Sequence, residues 1–371
     1  MPPISPHRLS SAAIAQVHAR AYTIPTATPE ADGTIEWDAT TIVVCTVSAA
    51  GETGMGYTYA SPAAQSVIEE KLGAEIRGLD ALDVGAAWSR MVRSVRNIGL
   101  PGIAACAVSA VDTALWDLKA KLLGEPLARL LGMLREEVPL YGSGGFTSYS
   151  VQQLQAQLGG WAEQGITRVK MKVGTHPQDD LARVRAAREA IGPKVELFVD
   201  ANGAYTRKQA LRFAERFAEF DVRWFEEPVS SDDLEGLRLI RDRAPASMDI
   251  AAGEYGYTPW YFRQMLAAGA VDVLQADATR CCGFTGLLAA AELCRGHHLP
   301  LSAHTAPALH LHACCAAPQL VHLEYFYDHA RIERMLFDGA REPVNGALRP
   351  DLTRPGTGLE FKQQDAARYA A

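Results

Sequence analysis

The chain has 371 residues, 48% hydrophobic and 21% charged, with a formal net charge of -7. This is long enough for one large core beside a smaller domain, and the composition argues against disorder. The acidic balance, without a dense Lys/Arg block, argues against nucleic acid or an anionic membrane surface as the main partner.

No stretch approaches the roughly 18 consecutive apolar residues of a membrane span, and MPPISPHRLSS lacks a secretory pattern, so a cytoplasmic protein acting on a small molecule is expected. The 7 cysteines include the adjacent pairs Cys281-Cys282 and Cys314-Cys315 and no C-x-x-C motif, which reads as buried apolar residues in a reducing compartment.

In chain order, residues 1–130 read as an α+β domain: a strand pair near 12–24 and 40–49, a turn at Ala50-Gly51, then helices near 62–77, 83–95 and 103–123. The intervening 23–39 stretch, TIPTATPEADGTIEWDA, is rich in Pro, Gly, Thr and acids and is expected to be a mobile loop. From about residue 138 short β-rich runs alternate with helical periodicity, giving strands at 138–142, 166–173, 195–200, 222–226, 248–254, 271–277, 299–304 and 320–325. Helices at 179–191, 206–219 and 232–243 are typical of the spacers. Strict alternation with eight strands predicts an α/β protein with a TIM-type barrel over 131–325. The Pro/Gly-rich segment 326–371 shows no periodicity and is expected to pack back on the first domain, with no ordinary barrel helix after the last strand.

Side chains at the C-terminal strand ends of such a barrel converge on one face. Here those ends carry Lys170 and Lys172, Asp200, Glu226, Glu254, Asp277, His304 and Glu324. Asp200, Glu226 and Glu254 form an all-oxygen set suited to Mg²⁺, which takes few protein ligands and fills its octahedron with water and substrate oxygens. Glu227 points to the other strand face and is expected to pair with a cation. Lys170 and Lys172, each an ammonium beside another ammonium and a dication, are expected to lose a proton more easily than usual. His304 on Asp277 would have its tautomer fixed, and Glu324 would donate a hydrogen bond if kept protonated. Two bases around one metal imply chemistry at a carbon between them.

The ordered motifs Lys170-x-Lys172, Asp200-Ala201-Asn202, Glu226-Glu227-Pro228, Ala252-Gly253-Glu254, Gln275-Ala276-Asp277, Ser302-Ala303-His304 and His322-Leu323-Glu324 resemble the mandelate racemase subgroup of the enolase superfamily. AVSAVDTALWDLKAKLLGEPL, residues 107–127, is similar to the last helix of that family's capping domain. The resemblance implies a modified (β/α)7β barrel with an N-terminal capping domain. It implies Mg²⁺ on Asp200, Glu226 and Glu254, Lys172 as one base, Lys170 against the substrate carboxylate, His304 with Asp277 as the second acid/base, and Glu324 on the enediolate. It further implies that 23–39 closes over the substrate, and that the protein is a homo-oligomer. Cys282 stands where relatives carry glycine, which would narrow a pocket it faced.

The carboxylate substrate is expected to be a hydroxy acid or sugar acid, and dehydration to a 2-keto acid is favoured over two-base racemisation or lactonising chemistry. Thr23, Thr26, Thr28, Asp32, Glu36, Trp37 and Asp38 suit a hydroxyl-rich partner. A ligand-binding barrel without catalysis, and a zinc hydrolase on His304, His310 and His312, are the rivals; His310 and His312, two apart on a helix, should not converge. His297, His298, His322 and His329 are assigned surface or core roles.

Overall fold

The structure is a computed structural model describing residues 12–371. A three-stranded antiparallel sheet leads the chain, with β1 Ile14–Ala31, β2 Glu36–Ala49 and β3 Glu52–Tyr59 in sequential order. Contiguous helical pieces follow (Ala63–Ser66, Val67–Leu72, Gly73–Ile76), then helices Val84–Ser94 and Ile103–Leu123. Helix Ile103–Leu123 packs across the sheet, and Ala105, Val108, Val111 and Leu115 join Val43, Cys45 and Val47 in one apolar core.

Eight parallel strands then close a barrel: β4 Val138–Gly144, β5 Arg168–Lys172, β6 Glu196–Asp200, β7 Val222–Glu226, β8 Asp249–Ala252, β9 Val273–Ala276, β10 Leu301–Ala303 and β11 Leu320–Phe326. β11 pairs with β4 to complete the ring. One helix bridges each successive pair of strands. Their sequences explain them: Ser150 and Thr206 form capping boxes with Gln153 and Gln209, and the buried Ala210, Phe213, Ala214 and Phe217 make one face of Arg207–Ala218. Inside the barrel Tyr141, Phe198 and Trp224 form an aromatic floor, Phe198 and Trp224 stacking at 5.2 Å. Trp224 and Phe198 lie two residues before Glu226 and Asp200, hence one layer beneath them on the inward face.

One expectation needs correction. The 23–39 stretch is mostly strand: β1 runs through Ala31 and β2 starts at Glu36, with Thr23 opposite Thr41 and Ala31 opposite Glu36. Its turn is closed by Asp32, whose Oδ1 accepts from the Thr34 and Ile35 amides at 2.6 and 2.8 Å. The tip is tied to the barrel, where Thr147 Oγ1 and Thr175 Oγ1 both donate to the Asp32 carbonyl, at 2.8 and 2.5 Å.

The last barrel strand is followed at once by a helix, Tyr327–Leu336. It is no ordinary outer-ring helix, because it meets the leading sheet: Thr40 Oγ1 donates to Asp328 at 2.5 Å, Tyr57 Oη to Glu333 at 2.5 Å, and Tyr59 stacks on His329. These contacts account for the burial of polar Asp328, His329 and Glu333 on this helix. Among the described residues no helix is long and apolar enough to cross a membrane.

Candidate active site

The barrel register brings the strand-end residues together. Lys172 on β5 is level with Asp200 on β6, and Asp200 with Glu226 on β7. Ligand oxygens of Asp200, Glu226 and Glu254 lie within 4.8 Å of one another, all three buried. Lys170 Nζ sits 2.6 Å from Glu226 Oε1 and 2.9 Å from Glu324 Oε1, and Lys172 Nζ 2.5 Å from Asp200 Oδ2. Across the mouth His304 Nδ1 is 2.9 Å from Asp277 Oδ2, which fixes the imidazole, while its Nε2 faces Glu254 Oε2 at 3.1 Å. The Asp277 carboxylate is further held by the Thr279 amide at 2.7 Å.

The donor set fits a hard divalent cation. All three ligands are carboxylates, and Glu254 Oε2 is buried without a well-aligned hydrogen bond. Burial and the neighbouring Asp200 push Glu226 up to about 8, the mark of anions crowded with too little positive charge. The trio is a Mg²⁺ site.

The crowded charges shift protonation at several groups of the site. Burial works against the charges of Lys170 and Lys172, but the adjacent carboxylates, with no metal charge counted against them, outweigh it and hold both lysines above the ordinary value. Glu324 is not kept protonated: burial would raise it, yet Lys170 and His304 bring it down to about 2, and the Thr305 amide donates to its Oε2 at 3.0 Å. His304 is pushed up to about 9, its burial overcome by Glu254 and Glu324.

Glu227 has no cation beside it among the described residues; its Oε1 is buried without a partner, and burial together with Glu254 and Asp200 raises it well above the carboxylate range. It therefore belongs to the acidic cluster and not to an ion pair. Left-handed backbone recurs around this mouth, at Asn202, Glu227, Cys282, Thr305 and Ala306. Cys282 does not narrow the pocket, because its thiol packs into the core of the leading domain and reaches the Tyr257 carbonyl at 3.4 Å.

Above the site lies a cavity of about 380 Å³, lined by Lys172, Glu254, His304 and Glu324 from the barrel and by Asp32 and Trp37 from the hairpin. Of the hairpin residues expected at a hydroxyl-rich substrate, Asp32 and Trp37 line it, whereas Thr23 bonds Thr41 within the sheet at 2.9 Å. Arg280 and His329 also line it and had no functional assignment from sequence. Arg280 lies three residues beyond Asp277, a position no strand-end rule covers. His310 and His312 do not join His304 in a zinc site: His310 Nε2 accepts from the Ala278 amide at 2.7 Å, and His312 Nδ1 from Ala128 at 3.2 Å.

A closed parallel barrel with a carboxylate Mg²⁺ site, paired lysines and a histidine–aspartate pair defines a Mg²⁺-dependent enzyme of the enolase type. The sequence comparisons agree: the description "Enolase C-terminal domain-like" matches residues 153–366, and "Mandelate racemase / muconate lactonizing enzyme, N-terminal domain" matches 16–132. The chain belongs to the mandelate racemase/muconate lactonizing enzyme family of the enolase superfamily.

L-talarate/galactarate dehydratase of Salmonella typhimurium is 34% identical over 281 residues, 74% of this chain and 70% of that protein. A mandelate racemase/muconate lactonizing enzyme-like protein from Rubrobacter xylanophilus shares 57% identity at a TM-score of 0.95, covering 97% of this chain and 100% of that one. A racemase from Streptomyces coelicolor with bound magnesium shares 30% identity at 0.91, covering 96% and 100%.

Proposed function

We propose that the protein removes the α-proton of a hydroxylated carboxylate and expels the neighbouring hydroxyl as water, the reaction of an acid-sugar dehydratase. The observation that carries this reading is the pair of proton-transfer groups at different sides of one carboxylate cluster, Lys172 against Asp200 and His304 on Asp277. Asp200, Glu226 and Glu254 would hold Mg²⁺, which when bound would supply positive charge for a substrate carboxylate and compete for the carboxylate charge that now holds the lysine protons.

Lys170, between Glu226 and Glu324, faces the substrate carboxylate with a fixed positive charge. Lys172 Nζ accepts the α-proton. His304, oriented through Nδ1, donates its Nε2 proton to the departing β-hydroxyl, which leaves as water. The enol left by losing a proton from one carbon and hydroxide from the next tautomerises to a 2-keto acid. Glu324, ionised, holds Lys170 and the Thr305 amide in place. The dehydratase activity of the Salmonella relative supports the choice of elimination.

Incubation in D₂O with Mg²⁺ and a panel of aldonic and aldaric acids tests it. Keto acid is the expected product. Deuterium entering the α-position with inversion, without keto acid, would refute dehydration in favour of racemisation.

A further inference from the structure

Arg280 follows β9 and reaches over the mouth. Its Nη1 donates to the Glu254 carbonyl at 3.1 Å and to Glu254 Oε1 at 3.3 Å, its Nε lies 3.6 Å from Asp277 Oδ2, and the guanidinium sits 5.1 Å over the Tyr255 ring. Its charge is thus already shared by two carboxylates. Nη2 has no hydrogen-bond partner among the described residues, and it is not one of the sealed, unpartnered polar atoms. It stays accessible on a residue that lines the cavity.

His329 comes from the helix after the last strand and lines the same cavity. Its ring is clamped flat against Tyr59, centroids 3.5 Å apart at 8°. The Ala306 amide donates to its Nδ1 at 3.4 Å, which places the ring proton on Nε2. Burial keeps the imidazole neutral, down at about 3. Nε2 likewise has no partner among the described residues and is not sealed. The mechanism uses neither nitrogen, so two unspent donors stand on residues that line the same cavity as His304. An added anion would meet Asp32 and Glu324 across the same cavity.

We propose that Arg280 and His329 form a specificity subsite that accepts neutral oxygens beyond the reacting carbons, so that the substrate is a polyhydroxy monocarboxylate and not a dicarboxylate. This rests on the dehydratase reading and narrows its substrate class. The reacting carboxylate lies at Lys170 and the departing hydroxyl at His304, so the next oxygens along the chain meet Arg280 Nη2 and His329 Nε2–H. A chain lacking those oxygens leaves two donors without partners, which is where selectivity of this kind originates.

The test is calorimetric binding to the Mg²⁺-loaded protein of three six-carbon acids: the best-bound hexonate, 2,3-dihydroxyhexanoate, and the hexarate of matching stereochemistry. They are measured on the wild type and on His329→Phe, which keeps the stack on Tyr59, Arg280→Met, and Arg280→Lys, which keeps the charge but not the fork. In the wild type the hexonate should bind at least about tenfold more tightly than 2,3-dihydroxyhexanoate, and more tightly than the hexarate. That advantage over 2,3-dihydroxyhexanoate should shrink about tenfold in His329→Phe and in both Arg280 variants. An unchanged ratio, equal weakening of all three acids, or tighter hexarate binding would overturn the subsite. Failure of the dehydratase reading shows separately, as absence of keto acid with the binding ratios intact.

Discussion

Replacing Glu333 by Gln removes a carboxyl buried against Tyr57 Oη at 2.5 Å and the Ala308 amide at 2.9 Å, where the last helix meets the leading sheet. Burial raises this group from 4.5 to about 8, against the pull of those two donors. The folded chain therefore keeps a proton that the unfolded chain releases. The stabilisation is fully present below pH 4.5 and is lost as pH rises through about 8. Within that window one proton of difference costs about 1.4 kcal/mol per pH unit, or at most about 3 kcal/mol over two units. Gln fills the same volume, accepts from Ala308 and donates to Tyr57, but does not titrate. Urea unfolding at several pH values between roughly 5.5 and 7.5 should show wild-type stability falling more steeply than that of Glu333→Gln, by this slope. Parallel pH profiles for the two proteins would refute a neutral, buried Glu333.

Three further outcomes are expected. In Gly33→Ala the new Cβ would lie 2.3 Å from the Ala201 carbonyl oxygen and 2.7 Å from that of Val173, so the hairpin tip must lift; KM should rise and kcat fall with little change in Tm, and unaltered kinetics would argue against the tip's role. Asp277→Asn removes the charge that orients His304 through Nδ1, and dehydration should drop by about 10²- to 10⁴-fold while circular dichroism stays native; near-normal turnover would exclude the pair from the chemistry. Glu254→Gln should weaken Mg²⁺ binding in calorimetry by at least about tenfold, and EDTA should abolish wild-type turnover; full activity in the chelated enzyme would sink the metal's role.

The barrel was legible because each inward strand position repeats every two residues, and the strand ends carry ionisable groups where a packed core would carry hydrocarbon. Lys170, Asp200, Glu226, Asp277, His304 and Glu324 follow that rule directly, and the structure brings them together. β3 has no counterpart in the sequence reading, which passes from the turn at Ala50-Gly51 to the first helix, and it carries two glycines, Gly54 and Gly56. They are glycine so that helix Ile103–Leu123 can lie close against the strand: a Cβ on Gly56 would fall 2.1 Å from Thr113 Oγ1 and 2.4 Å from the Ala110 carbonyl. Arg280 and His329 sit outside the strand-end pattern and reach the cavity only through the loop after β9 and the helix after β11. The carboxylates that face the two lysines within 3 Å are not visible in sequence, which shows only that two cations are adjacent.

The floor of stacked Phe198 and Trp224, with Tyr141 beside them, shuts the lower end of the barrel. Among the described residues, reactants and products therefore reach the site from the side of the hairpin and strand ends. Traffic there is one molecule at a time: a departing product occupies the path the next substrate must take. Accumulated product should then behave as a competitor for entry, giving inhibition that added substrate relieves.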